Sequence, residues 1–284
     1  MRSFKASVAE RISRIRQRFA AAVRLPGWLR QSLMPRQSIE ISEKSGVRYL
    51  HFSAAWVQGA MRIQRPYALE LPYTREMMAG LLLRDPPWPR QALLIGLGAG
   101  SLAKFVYHHL PATKITAIEI DPQVVLVARL HFRLPDDPCR LRIVVADGAE
   151  YMLRGGASYD YILVDGFDRH ARAGVLDTLS FYQACRARLS SGGLVAINLL
   201  GRERGFAASV DRITQAFDGR SLAFPSCDSG NTIVFATAGD PVDLSFADLA
   251  ERARQCRQET GLNLLPTVAR LQKAHGLPGD RLVL

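Results

Sequence analysis

The sequence predicts a doubly wound α/β fold: a mostly parallel sheet covered on both faces, with a terminal antiparallel hairpin and a small N-terminal β-domain. Two observations carry this expectation. From Gln91 onward, short aliphatic and β-branched runs alternate with amphipathic stretches of about ten residues, the pattern of βαβ units. Near the end, the runs 221–224 and 232–236 are separated by a Pro/Ser/Gly turn and no helix, which marks a hairpin.

The elements follow in order. Residues 38–69 read as short strands, with 47–52 alternating and 56–63 following after a turn. The run 69–83 reads as one helix, stopped by Asp85-Pro86-Pro87-Trp88-Pro89. Strands are then expected at 92–95, 115–118, 141–145, 161–164 and 194–199. Helices are expected between and after them at 102–110, 123–132, 149–154, 180–189 and 207–217. Residues 244–275 give one or two closing helices. The expected organisation is a basic segment at 1–37, a strand domain with a helix at 38–83, and the α/β domain at 84–284.

Charge sharpens the functional reading. The chain has 284 residues, with 37 Lys+Arg against 26 Asp+Glu, a formal net charge of +11. Residues 1–37 hold nine bases and one acid, so +8 of that charge lies there and the remainder is near neutral. A nucleic-acid partner is therefore not expected. Phe4, Val8, Ile12, Ile15, Phe19 and Val23 are spaced 4, 4, 3, 4 and 4. This spacing predicts an amphipathic helix with arginines around its other faces, suited to an anionic membrane surface, a docking partner or the chain's own body. No run approaches the ~18 apolar residues of a membrane span, and 19–23 is too short for a signal-peptide core. Cys139, Cys185, Cys227 and Cys256 lack zinc-ligand spacing, so no metal is expected. Reduced, mostly buried thiols fit a cytoplasmic protein.

Open parallel sheets bind ligands beyond the carboxyl ends of their strands. After the first strand of the α/β domain comes Gly96-Leu97-Gly98-Ala99-Gly100-Ser101. Glycines permit a sharp turn and close backbone approach, and the next helix offers free N–H groups. Ser101 stands where a dinucleotide fingerprint needs glycine or alanine. Glu119, 23 residues beyond Gly96, ends the second strand, where an acid can hold both hydroxyls of a ribose. Asp121 is placed to cap the next helix, with Pro122 at its first position. Asp147 and Gly148 follow the third strand. An acid there can accept from an adenine amino group or cap the helix, and Gly148 leaves room for a ring. The set points to an adenosine-containing cofactor without a pyrophosphate. Asp165 and Asp168 follow the fourth strand, where carboxylates can hold a cationic amine and accept its proton.

These motifs lie within residues 40–237, together with Val57-Gln58-Gly59, the Tyr73-containing stretch 73–77, the runs 159–165, 180–185 and 189–194, and the late segment 225–230. So assembled, they resemble the spermidine synthase (polyamine aminopropyltransferase) family, within the S-adenosylmethionine-dependent methyltransferase folds. The resemblance implies a Rossmann-like sheet of the class I methyltransferase type. It implies decarboxylated S-adenosylmethionine as cofactor, an amine as substrate, methylthioadenosine as product, and a homodimer or larger assembly. Glu119 would then hold the ribose, Asp147 the adenine, and Asp165 would be the base, with Tyr73 near the substrate. The chain departs from the family pattern on the amine side. Ala99 stands where the family usually has Asp, Thr74 where it tends to have Gln or His, and Cys227 where it has Tyr. Its catalytic loop reads Asp165-Gly166-Phe167-Asp168-Arg169, and Arg169, His170 and Arg172 add positive charge. Two alternatives follow: a methyltransferase that uses S-adenosylmethionine and releases S-adenosylhomocysteine, or a degenerate nucleoside-binding protein acting through residues 1–37.

Overall fold

The structure is a computed structural model that describes residues 39–53, 56–167, 172–201, 205–227, 230–274 and 280–284. The amphipathic helix expected within residues 1–37 lies outside the described residues.

The first described unit is a meander of β1 (Glu40–Lys44), β2 (Val47–Ser53) and β3 (Trp56–Arg62). The β1–β2 turn, Ser45-Gly46, places both residues at positive φ (53° and 75°). Two consecutive positive φ values give the twist that a two-residue hairpin needs.

A short helix α1 (Pro72–Met77) and a 3-10 turn (Met78–Leu82) lead to the main sheet. Its strands are β4 (Gln91–Ile95), β5 (Lys114–Glu119), β6 (Leu141–Val145), β7 (Tyr159–Val164), β8 (Leu189–Leu200), β9 (Ser221–Ala223) and β10 (Asn231–Thr237). They are ordered β6-β5-β4-β7-β8-β10-β9. The pairs from β6 to β8 are parallel, and β10 runs antiparallel to both its neighbours. The expected mixed sheet with its late hairpin is therefore present.

Side chains alternate across each strand, so successive residues enter opposite cores. Leu94 joins one cluster with α2 (Ser101–His109), α3 (Pro122–Phe132), α7 (Phe246–Thr260) and α8 (Leu265–Ala274). Leu93 and Ile95 join the other, with α4 (Gly148–Leu153), α5 (Leu179–Ala187) and α6 (Phe206–Ala216). Both faces are covered, which explains strands that are apolar almost throughout.

Three local expectations need correction. The stretch 69–83 is not one helix: α1 begins at Pro72 and gives way to a 3-10 turn. Gly80 lies against the ring of Tyr161, where a Cβ would come within 2.5 Å of the hydroxyl oxygen. The Tyr161 hydroxyl donates to the Met77 carbonyl. That bond takes a carbonyl which would otherwise serve a continuing helix. The strand expected at 194–199 starts instead at Leu189, with a register shift between Tyr159 and Tyr161 that absorbs residues 190–193. Finally, β11 (Asp243–Ser245) and β12 (Arg281–Val283) form a small ribbon around the C-terminal helices. Each strand has three residues, too few for an alternating signal.

Among the described residues no helix is long and apolar enough to cross a membrane. All four cysteines are free, with Cys139 exposed and the other three buried.

Gly80→Ala should press a methyl group into the buried Tyr161 hydroxyl. A loss of about 1–3 kcal/mol in urea-denaturation stability is expected, with unchanged m-value.

Candidate active site

The chain leaves β4 towards β5 on one side, while β7 takes the other side, so the crevice between the ends of β4 and β7 is the topological switch point. The two loops that start there touch. The Asp165 N–H donates to the Ile95 carbonyl at 2.9 Å. Gly96 has φ +93°, and a Cβ on it would collide with the Asp165 carbonyl. Only glycine satisfies both conditions.

The N-terminal meander closes the other side of the glycine loop. A Cβ on Gly98 would lie 2.9 Å from the Gln58 carbonyl oxygen, and the Ser101 hydroxyl donates to the Ala60 carbonyl at 3.1 Å. Ala99 is 2% exposed and its methyl group faces Gly59 of β3, within the small core of Leu50, Met61 and Phe132. Position 99 is therefore part of the packing between loop and meander.

Glu119 ends β5 and is 7% exposed. Its Oε2 accepts from Leu97 N at 2.9 Å and its Oε1 from Asp121 N at 3.0 Å. Burial raises its pKa, and those two backbone donors offset part of the rise. They also fix the carboxylate plane, leaving each oxygen a further lone pair for a diol. Asp121 caps α3 as expected, accepting from Gln123 N at 2.8 Å. Ile120, between these two acids, is 48% exposed, an apolar surface that a flat ring can cover. Asp147 does cap α4: its Oδ1 accepts from Ala149 N at 2.8 Å and Glu150 N at 3.0 Å. Its Oδ2 takes no part in that cap. A Cβ on Gly148 would come within 2.6 Å of Ile95 Cγ2, so the glycine brings this backbone close to the end of β4. Glu119, Ile120 and Asp147 thus offer a diol acceptor, an apolar face and an amine acceptor along two adjacent strand ends, those of β5 and β6, a set that suits an adenosine.

Asp165, the residue after β7, accepts from two neutral donors. The Tyr73 hydroxyl of α1 reaches Oδ2 at 3.2 Å, and Asn198 Nδ2 of β8 reaches Oδ1 at 2.9 Å. Burial raises the carboxyl pKa, with the two hydrogen bonds acting in the opposite direction. The Tyr73 phenol is pushed well above its ordinary value, first by burial and then by the Asp165 charge, so it stays a neutral donor. Asn198 escaped the sequence reading. Its signal is a lone amide inside the otherwise apolar run 194–200. It is 4% exposed, and its Oδ1 has no hydrogen-bond partner among the described residues. The second expected carboxylate, Asp168, lies outside the described residues, as does Arg169. Cys227 is buried, with its sulfur 3.8 Å from the Asn231 carbonyl oxygen. Among the described residues no group of His, Cys, Asp and Glu side chains is arranged to hold a metal ion.

A buried carboxylate between neutral donors, beside a glycine loop and an adenosine-shaped set of acceptors, is suited to accept a proton near a bound nucleoside. The model of the spermine/spermidine synthase domain family matches residues 71–199. A polyamine aminopropyltransferase of Chromobacterium violaceum is 34% identical over 256 residues, which cover 90% of this chain and 97% of that protein. The chain belongs to the spermine/spermidine synthase family. It is a transferase, as its relatives are. Among solved structures, a probable spermidine synthase from Corynebacterium glutamicum shares the fold, with TM-score 0.65, 21% identity, 79% of this chain and 85% of that one covered. The human methyltransferase-like protein 13 in complex with SAH aligns with TM-score 0.60 and 26% identity, covering 68% of this chain and 93% of that one. The family's cofactor is of the S-adenosyl type, and the strand-end acceptors fit it.

Asp165→Asn removes the buried carboxylate that Tyr73 and Asn198 hold, and turnover should fall at least ~100-fold. The same variant should be more stable than the wild type at neutral pH. A carboxyl whose folded pKa is raised contributes most below its unfolded pKa, and that contribution is lost as pH rises through the folded value. Thermal melts between pH 4 and 8 should therefore show the variant gaining on the wild type as pH increases. Wild-type activity should fall as pH drops through the raised Asp165 pKa, so its acidic limb lies above the ordinary aspartate range.

Proposed function

We propose that this protein transfers an aminopropyl group from decarboxylated S-adenosylmethionine to an amine, with Asp165 as the proton acceptor. The observation that carries the reading is the Tyr73–Asp165–Asn198 cluster at the switch point, next to the glycine loop, in a chain of this family. When bound, the cofactor supplies a carbon activated by an adjacent sulfonium. The protein's part is positioning and proton transfer. Glu119 would hold the ribose hydroxyls and Asp147 the adenine amino group, with Ile120 against the ring; the space beside Gly148 is taken by Ile95 and Leu176, so that glycine serves packing instead of leaving room for the ring. Asp165 orients the acceptor nitrogen and takes its proton as the new N–C bond forms. The C–S bond breaks with its electron pair moving to sulfur, and methylthioadenosine leaves. Tyr73 and Asn198 hold Asp165 as a carboxylate that keeps a lone pair towards the amine. No metal is needed for this chemistry. Free thiols at all four cysteines fit a reducing, cytoplasmic setting.

A second reading is methyl transfer from S-adenosylmethionine, with S-adenosylhomocysteine as product. The observation that favours it is Ala99, whose methyl group is buried against Gly59 and offers no carboxylate to a cofactor's terminal ammonium.

The test incubates the purified protein with decarboxylated S-adenosylmethionine and a panel of mono- and diamines, following methylthioadenosine. Its appearance, lost in Asp165→Asn, is the expected result. No methylthioadenosine with any amine, together with S-adenosylhomocysteine release from S-adenosylmethionine, would establish the second reading instead. In calorimetry the first reading expects the decarboxylated cofactor to bind more than about tenfold tighter, ~1.4 kcal/mol.

A further inference from the structure

Tyr73 sits on a helix that cannot hold its own orientation. α1 has six residues, and a helix that short is unstable without tertiary support. Its support comes from distant parts of the chain. The Tyr161 hydroxyl donates to the Met77 carbonyl at the C-terminal end of α1. Glu76, three residues after Tyr73, is 2% exposed and accepts on Oε2 from Arg270 Nη2 at 2.7 Å. Arg270 belongs to α8 and lies 194 residues further along the chain, beyond the 71–199 region that the family model matches. The same C-terminal lobe grips the following turn, where Arg252 of α7 donates to the Leu82 carbonyl at 3.2 Å and pairs with Asp85 at 2.6 Å.

Residues i and i+3 of a helix lie on neighbouring faces. Fixing the direction of Glu76 therefore fixes the rotation of α1 about its axis, and with it the direction of Tyr73. We propose that Arg270 is a positioning residue: by holding Glu76 it keeps the Tyr73 hydroxyl aimed at Asp165, so the C-terminal helices set the proton affinity of the site carboxylate. The proposal rests on the reading of Asp165 as the working base. Of the groups packed on Asp165, Tyr73 from α1 can ionise, Asn198 from β8 cannot, and β4 contributes the Ile95 carbonyl.

The experiment follows the Asp165 carboxyl by carbon-13 NMR titration of the full chain, using Asp165→Asn to assign its signal. Loss of the Tyr73 hydrogen bond removes support from the charged form, so the carboxyl should bind its proton more tightly. In Arg270→Met the Asp165 midpoint should rise by about 0.5 pH units or more, roughly threefold in proton affinity. Tyr73→Phe should move it in the same direction, and the double variant no further than Tyr73→Phe alone. Arg270→Lys should recover part of the shift. Because Arg270→Met leaves a buried carboxylate without this arginine, Glu76→Gln with Arg270→Met serves as a second variant without that charge. An unmoved midpoint in both variants, even with a lowered melting temperature, would overturn the proposal and leave Arg270 a purely structural residue. Additive shifts of Tyr73→Phe and Arg270→Met would overturn it too. The titration needs no substrate. A shifted midpoint in a protein that transfers nothing would leave the positioning intact and remove only the functional reading.

Discussion

The site depends on one contact: the loops after β4 and β7 meet, with the Asp165 N–H on the Ile95 carbonyl and Gly96 turned to φ +93° beneath the Asp165 carbonyl. Everything else is arranged around that junction. Glu119 holds the Leu97 N–H one residue beyond the turn, and β3 lies over Gly98 and Ala99. A side chain at position 96 would separate the loops, and Asp165 and Glu119 would lose their common frame.

Two buried carboxylates, Glu119 and Asp165, stand at the loops that meet here. Burial raises the pKa of both Glu119 and Asp165, and each is met by donors that carry no charge: backbone N–H groups for one, a phenol and an amide for the other. Neutral donors support the ionised form without neutralising it. Among the described residues neither carboxylate is in an ion pair, so the negative charge of each is not cancelled. Positive charge is used at one remove: Arg270 meets Glu76 on the helix that carries Tyr73.

Much of this was legible in the sequence, and for local reasons. Strands buried on both faces are apolar runs, and the junctions between them carry glycines and acids that little else explains, so the strand ends at Gly96, Glu119, Asp147 and Asp165 could be placed in order. Capping was legible too, since Asp121-Pro122 reads as a helix start. Other features left weaker marks. Gly80 gave no hint of the Tyr161 ring that ends α1, because that ring lies 81 residues away along the chain. Asn198 looked like one polar residue in a strand, and the three-residue strands β11 and β12 carried no period at all.

By itself, then, the sequence determined the α/β class and the placing of Gly96, Glu119, Asp147 and Asp165 at strand ends. These follow from periodicity and from residue types at fixed offsets, which are properties of neighbouring positions. Only the tertiary structure decided which groups touch. It turned the methyl group of Ala99 towards Gly59, brought Tyr73 and Asn198 to the two oxygens of Asp165, and linked α1 to α8 through Glu76 and Arg270. Such contacts join residues up to 194 positions apart. They are set by how helices and strands pack, and packing leaves no periodic trace in the order of the amino acids.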